Sequence, residues 1–105
     1  MKLMTKAQEK RMVRNFEKRN TTPETKPVIK LFTPWGAATW FLSEYDADNE
    51  LFFGLCDLGG PFVEMGYVSK VELEALRGPW GLKVERDLYT RLDKTFKELL
   101  AGDRP

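Results

Sequence analysis

Apolar residues near the start of the chain recur at helical spacing, about 100° per residue. Those that share one face of the predicted helix are Met12, Val13 and Phe16. Thr5, followed by Gln8 three residues later, has the spacing of an N-terminal capping box. The pattern predicts a first helix over residues 5–20, followed by a polar connection over residues 21–27 that contains two prolines.

The middle of the chain changes to the short apolar runs that are typical of β-strands. The predicted strands are Val28–Phe32, Thr39–Tyr45, Leu51–Cys56 and Phe62–Val68. The third run is almost continuously apolar, which indicates a strand inside the sheet. Residues 46–50 and 57–61 are predicted to form a hairpin loop and a turn, because Asp, Asn, Gly and Pro are concentrated there.

Side chains along a strand alternate between the two faces of a sheet. In the second predicted strand, Trp40 and Leu42 therefore share one side and Phe41 points to the other. The third strand is expected to bury three side chains together, namely Leu51, Phe53 and Leu55. Gly66, within the fourth strand, is expected to mark a bulge or a close approach of two backbones.

Two further helices are predicted in the second half of the chain. Ser69 is expected to cap the second helix, and Gly78 to end it. Thr90 is expected to cap the last helix, and Gly102 to end it. Between these helices, residues 80–87 are predicted to form a loop with a short edge strand.

Together these elements predict an α+β fold. It consists of a small antiparallel β-meander with an N-terminal helix, a middle helix and a C-terminal helix, all packed against one face. The length of 105 residues fits one domain that spans residues 1–105.

Composition excludes several kinds of site. The chain has no histidine and a single cysteine, Cys56, so it has neither an internal disulfide nor a Ser-His-Asp or Cys-His catalytic unit. The same shortage argues against zinc, haem and iron–sulfur ligation, and we expect no metal and no cofactor. No apolar run approaches the ~20 residues of a membrane span. These features favour a cytoplasmic protein that is not an enzyme.

The net charge of +1 is unevenly distributed. Residues 1–20 carry seven Lys or Arg against two Glu, a net charge of +5, and residues 38–74 carry one Lys against eight Asp or Glu, a net charge of −7. One stripe of the first helix is basic and consists of Lys6, Lys10, Arg14 and Lys18. This stripe either tracks a nucleic-acid backbone or is an ordinary solvated helix face.

Motifs typical of a known family lie in the segments Met1–Thr5, Phe32–Gly36, Trp40, Leu51–Leu55, Glu64–Tyr67, Arg77–Pro79, Gly81–Leu82 and Glu85–Asp87. In these segments the chain resembles the uncharacterised family catalogued as domain of unknown function 2958. The loop from Thr21 to Lys26 and the tail after Tyr89 show no family pattern. The resemblance implies a bacterial or phage protein encoded on mobile DNA, such as a plasmid, and it implies no catalytic residues.

Trp35 and Trp80 are the aromatic candidates for a binding surface. Trp35 lies in the turn Thr33–Gly36, where it is either an exposed stacking platform or a buried residue that closes one end of the core. Charged residues around the Trp80 loop are Arg77, Glu85, Arg86 and Asp87. They either line a small-ligand or acid–base site beside Trp80 or hold the loop together through Arg–carboxylate bonds.

A non-catalytic protein that binds a protein partner is the function that these observations favour, with the candidate surface drawn from Trp35, Trp80 and their charged neighbours. The first alternative is a nucleic-acid-associated protein that uses the basic first helix. The second is a carboxylate-based enzyme or small-ligand binder at Trp80 and residues 85–87. The acidic loop 46–50 lacks the glycine and the distant Glu of a calcium loop, so we interpret it as a hairpin loop.

Overall fold

A five-stranded antiparallel sheet forms the centre of the structure, a computed structural model that describes residues 2–105. The strands are β1 (Ile29–Phe32), β2 (Thr39–Asp46), β3 (Leu51–Asp57), β4 (Val63–Ser69) and β5 (Glu85–Arg86). The helices are α1 (Lys6–Lys18), α2 (Lys70–Ala75) and α3 (Phe96–Leu100). The strand order is β4-β3-β2-β1-β5, so the predicted α+β class, the meander and the short edge strand are confirmed.

Helices cover both faces of the sheet, which corrects the prediction that they gather on one. Met12 of α1 and Leu73 of α2 share a buried cluster with Trp40 and Leu42 of β2. A second buried cluster on the opposite face consists of Phe41, Leu55, Phe96 and Leu99. The predicted alternation in β2 is therefore correct, and because both sides of β2 are apolar, each side has its own helical cover.

The prediction for the third strand is correct for Leu55 and wrong for Leu51 and Phe53. Phe52 and Leu55 are fully buried on opposite faces, whereas Leu51 and Phe53 are only half-buried. The Phe53 ring contacts Tyr67 instead, with their centroids 4.9 Å apart. The reason is the short α3, whose five residues cover Leu55 and leave Phe53 partly open to solvent.

The close approach of two backbones occurs at Gly54 and not at Gly66. A Cβ atom added to Gly54 would lie 2.1 Å from the carbonyl oxygen of Phe41, whereas one added to Gly66 meets nothing within 4 Å. The register irregularity lies in β2 between Leu42 and Glu44, and the pairing of β4 with β3 runs without a shift. The prediction that Gly66 marks a bulge or a close approach is therefore wrong.

Side-chain caps define the starts of α1 and α2 as predicted. Thr5 and Gln8 form the capping box of α1, and the Ser69 side chain accepts a hydrogen bond from the Glu72 amide at the start of α2. The second helix nevertheless ends at Ala75, before Gly78, because Leu76 adopts an extended conformation with ψ of 137°.

The last helix begins later than predicted. Thr95 caps it, not Thr90, and forms a capping box with Glu98. Thr90 is not available as a cap because its hydroxyl donates a hydrogen bond to the Asp87 carboxylate. Gly102, with φ of 94°, follows the end of α3 as predicted.

Candidate functional site

Trp35 fills space beside the core. It is half-buried and packs against the cluster on the α1 face of the sheet. Gly78 lies directly against its ring, since a Cβ atom there would be only 2.2 Å from Trp35 Cδ2. The turn between β1 and β2 is thereby packed against the loop that follows α2. This placement matches the interpretation of Trp35 as a residue that closes one end of the core.

Arg77 and Arg86 hold backbone in place. The Arg77 guanidinium donates to the carbonyl oxygens of Glu74, at 2.6 Å, and Leu76, at 2.9 Å, at the end of α2. The Arg86 guanidinium donates to the carbonyl oxygen of Lys2 at 2.8 Å and fixes the segment that precedes α1 to the β5 edge. Both side chains satisfy carbonyl groups, so the Arg–carboxylate bonds considered from the sequence are not the contacts found for them.

The segment from Glu85 to Asp87 lines a shallow groove of about 500 Å³. The other residues that line this groove are Phe32, Leu88, Tyr89 and Thr90. Trp80 is not among them, so the structure brings Glu85, Arg86 and Asp87 together without the predicted aromatic wall.

Asp87 organises the turn after β5. Its carboxylate accepts hydrogen bonds from the amides of Tyr89 and Thr90, both at 2.9 Å, and lies 3.3 Å from the Lys30 ammonium. Partial burial acts to raise its pKa, but these hydrogen bonds and the Thr90 hydroxyl outweigh it and hold the pKa of Asp87 well below its usual range. The carboxylate is therefore ionised near neutral pH and is unsuited to serve as a general acid.

Trp80 is the most exposed large apolar residue of the described chain, with 97% of its surface accessible. It lies in a single 3₁₀ turn, Pro79–Gly81, and its φ of 56° is in the left-handed region. That conformation is a genuine outlier for a bulky residue. Three backbone hydrogen bonds hold the turn, from Gly78 to Leu82 at 2.8 Å, from Gly81 to Gly78 at 3.2 Å and from Leu82 to Pro79 at 3.2 Å.

Two further exposed apolar side chains lie at the same end of the sheet as Trp80. Phe62 is 84% exposed and Leu58 is 68% exposed, both in the turn between β3 and β4. That turn packs against the β1–β2 turn, because a Cβ atom on Gly59 would be 2.7 Å from Ala37 Cβ. We call residues 33–38, 58–62 and 77–82 together the turn end of the sheet. Phe62 and Leu58 are not among the candidate residues predicted from the sequence, although their position beside Gly59, Gly60 and Pro61 is a signal of exposure.

A second groove, of about 440 Å³, runs between β4 and α2. The residues that line it are Trp40, Cys56, Leu58, Glu64, Met65, Gly66, Tyr67, Val68, Glu72, Leu73 and Leu76. Burial raises the pKa of the Cys56 thiol, and the nearby Glu64 carboxylate raises it further. The thiol is therefore protonated near neutral pH and forms part of an apolar floor.

The predicted basic stripe of α1 is exposed along its length. Lys6, Lys10 and Arg14 line a shallow groove on the helix, and Glu9 and Glu17 line the same groove. Positive and negative side chains are thus intermixed on this surface. Lys18, the fourth residue of the stripe, is exposed outside that groove.

The Asp46 carboxylate binds backbone amides of the hairpin loop. Asp46 accepts hydrogen bonds from the amides of Asp48, at 3.1 Å, and Asn49, at 3.3 Å, which stabilises the hairpin loop.

Within residues 2–105, no cluster of three or more His, Cys, Asp or Glu side chains has the arrangement of a metal site. Over the same residues, none of the helices combines the length and the hydrophobicity that a membrane crossing requires.

Comparison with known proteins identifies the family. The family described as "Protein of unknown function (DUF2958)" matches residues 3–101, which is nearly the whole chain. The chain belongs to this family. The DUF2958 match includes the loop 21–26 and most of the tail after Tyr89, where the sequence showed no family pattern. Neither a curated protein nor a solved structure matches the chain.

Proposed function

We propose that this DUF2958 protein is a non-catalytic binding protein that associates with a protein partner through the turn end of the sheet. The observation that carries the proposal is the geometry of Trp80. Its indole is 97% exposed, and its backbone is held in a left-handed conformation that a bulky residue rarely adopts. Backbone strain of this kind clusters at sites of function, where the surrounding structure maintains it.

Trp80 has the properties of an interface anchor. Tryptophan is enriched among the few residues that contribute most of the binding energy of protein–protein interfaces. The hydrogen-bonded turn fixes the backbone beneath the indole before binding, so less conformational entropy is lost when a partner docks. Phe62 and Leu58 add exposed apolar surface at the same end of the sheet. Contiguous exposed apolar patches typically mark sites of interaction.

The two alternative functions have weaker support. Glu9 and Glu17 lie in the same groove as the basic side chains of α1, which reduces the attraction of that surface for a phosphate backbone. The groove at Glu85 and Asp87 has no Trp80 wall, and the Asp87 carboxylate is occupied by hydrogen bonds. Nucleic-acid association and carboxylate chemistry therefore remain the secondary hypotheses.

The family resemblance and the composition support a proposal for the origin of the partner. The resemblance to proteins encoded on plasmids and phages supports a bacterial protein as the partner, either from the host or from the mobile element itself. The single cysteine supports a cytoplasmic setting for the interaction.

Affinity capture with matched variants tests the proposal. The tagged chain, the Trp80→Ala variant and the Asp48→Ala variant are expressed in the bacterium that encodes the protein, and nuclease-treated captures are compared by mass spectrometry. Asp48 is an exposed control in the hairpin loop at the opposite end of the sheet. We expect Trp80→Ala to lose a protein that the wild type and Asp48→Ala retain. Capture that is unaffected by Trp80→Ala, or that disappears with nuclease, would contradict the proposal.

A further inference from the structure

The two edges of the sheet differ in how they are protected. At one edge, β5 is only two residues long, and the Lys30–Asp87 ion pair lies beside it. At the other edge, β4 runs for seven residues and pairs with β3 without a register shift. Exposed edges are usually blunted by charged side chains, especially lysine, by proline, by bulges or by short length. The one charged side chain of β4 is Glu64, and the strand contains no lysine, proline or bulge. Its outer backbone groups have no strand partner within residues 2–105.

The groove beside β4 opens onto this edge. Five consecutive residues of the strand, Glu64 to Val68, line it. The pairing register places Glu64, Gly66 and Val68 on the face that Trp40 and Cys56 also line, whereas Met65 lines another groove on the opposite face. The groove therefore lies on one face of β4 and runs along five residues of this edge strand.

Gly66 opens the middle of the groove. A Cβ atom added there meets nothing within 4 Å, so the missing side chain leaves free space above the sheet. The nearly buried Trp40 lies on the floor, and Leu73 and Leu76 of α2 form one wall. The volume of about 440 Å³ is within the range of binding pockets and has room for apolar side chains.

Charge restricts what the groove accepts. Glu64 and Glu72 are the charged residues that line it, and both are exposed carboxylates. A second copy of the chain is disfavoured as an occupant, because pairing β4 with β4 would bring together two copies of the segment 38–74, each with a net charge of −7. A segment with Lys or Arg gains favourable interactions with the two carboxylates instead.

We infer that β4 accepts an extended, Lys- or Arg-containing segment of the partner protein as a sixth strand of the sheet. Backbone hydrogen bonds to the free edge supply affinity, as in other cases of strand addition. One apolar side chain of the segment occupies the space above Gly66, and a basic side chain lies near Glu64 and Glu72. The inference rests on the proposed function and names the kind of partner that it requires.

A random nonapeptide library displayed on phage is the probe that tests this inference. Peptides are selected on the wild-type protein, and the enriched sequences are measured individually by fluorescence anisotropy against wild type and variants. We expect enrichment of sequences in which an apolar residue and a Lys or Arg are two positions apart, because Glu64 and Gly66 lie on the same face of β4. Amide hydrogen exchange of β4 should slow when such a peptide binds. Enrichment of acidic peptides, or no enrichment at all, would overturn the inference.

Two sets of variants locate the bound peptide. Gly66→Phe places a ring in the groove, at a position where the Cβ atom itself meets nothing within 4 Å. We expect it to weaken peptide binding by at least about tenfold while circular dichroism stays unchanged. The double variant Glu64→Lys, Glu72→Lys should also weaken binding, whereas the matched control Glu24→Lys, Asp48→Lys should not. Peptides that bind Gly66→Phe as tightly as wild type would refute the assignment of the groove.

The test separates this inference from the proposed function. Trp80-dependent capture of a partner that Gly66→Phe also retains would disprove strand addition and leave the proposed function intact. A dimer in analytical ultracentrifugation that Gly66→Phe dissociates would assign the edge to a second copy and would also overturn the inference.

Discussion

Gly54 and Gly66 face each other across the β3–β4 ladder, and alanine substitutions at these two positions should have opposite effects. The added Cβ of Gly54→Ala would lie 2.1 Å from Phe41 O, 2.7 Å from Leu42 Cα and 3.0 Å from Phe41 C. All three are backbone atoms of the neighbouring strand. An ordinary carbon–oxygen contact is about 3.3 Å or longer. Relief of the clash therefore requires β2 and β3 to separate by about 1 Å, although the ladder holds neighbouring strands about 4.8 Å apart.

The expected free-energy changes follow from these contacts. Overpacking typically costs about 1–3 kcal/mol, and the rigid backbone at Gly54 places Gly54→Ala at or above about 3 kcal/mol. Gly66→Ala meets no atom within 4 Å and removes the entropic cost of glycine in a strand, so it should stabilise the protein by about 0.5–1 kcal/mol.

Urea denaturation of both variants, followed by far-ultraviolet circular dichroism, measures the difference. The free energies of unfolding should differ by about 4 kcal/mol between the two variants. A loss below about 1 kcal/mol for Gly54→Ala would show that β2 and β3 do not approach each other as described. A comparable loss for Gly66→Ala would show that the edge at β4 is not open, and the strand-addition inference would fail with it.

Three further substitutions test other parts of the structure. Trp80→Gly removes a side chain that buries almost no surface, and it relieves a left-handed conformation that costs about 1–2 kcal/mol. Its free energy of unfolding should therefore equal or slightly exceed that of the wild type. A clear loss of stability in urea denaturation would contradict the exposed position of Trp80. Thr95→Ala should cost about 1 kcal/mol in the same assay because it removes the cap of α3. Asp87→Asn should cost about 2 kcal/mol at pH 7. Because the pKa of Asp87 is lowered in the folded state, the contribution of its carboxylate to the free energy of unfolding is present above about pH 4 and is lost as the pH falls through the folded-state pKa. The difference in stability between Asp87→Asn and the wild type should therefore shrink in acid. The same difference at pH 7 and pH 3 would refute this.

The sequence predicted the parts of the fold that local signals determine. Thr5 and Ser69 cap helices as expected because a cap depends on residues within one turn of it. The alternation of Trp40 and Phe41 between the two faces was also predictable, because the pleat of a strand alone decides it.

The errors arose where tertiary contacts decide between equivalent local signals. Thr90 and Thr95 are each followed three residues later by an acidic residue. The Thr90 hydroxyl donates a hydrogen bond to the Asp87 carboxylate and so does not cap a helix. The last helix starts after Thr95 instead, where the carbonyls of Pro23 and Thr25 accept hydrogen bonds from the first amides of α3. Likewise, the sequence cannot show which glycine lies against a neighbouring strand, so Gly66 was named in place of Gly54.

The candidate site was only partly predictable. Trp80, Glu85, Arg86 and Asp87 were all identified as candidates, but the structure separates Trp80 from the groove that the other three line. The exposed Phe62 was assigned to the start of a strand, and the groove along β4 was missed altogether. The groove forms because β4 lies at the edge of the sheet and α2 packs beside it. The hydrophobic pattern of a single segment predicts neither the order of the strands nor the packing of a helix.

Site-specific photo-crosslinking tests the central claim most directly. A photoreactive phenylalanine analogue is placed at position 80 and, as the control, at position 48, and each protein is irradiated in cells of its native host. A discrete protein adduct from position 80 that is absent from position 48 is the result that the account predicts. Equal labelling from both positions, or an adduct with nucleic acid from position 80, would contradict a protein-binding role for the turn end of the sheet.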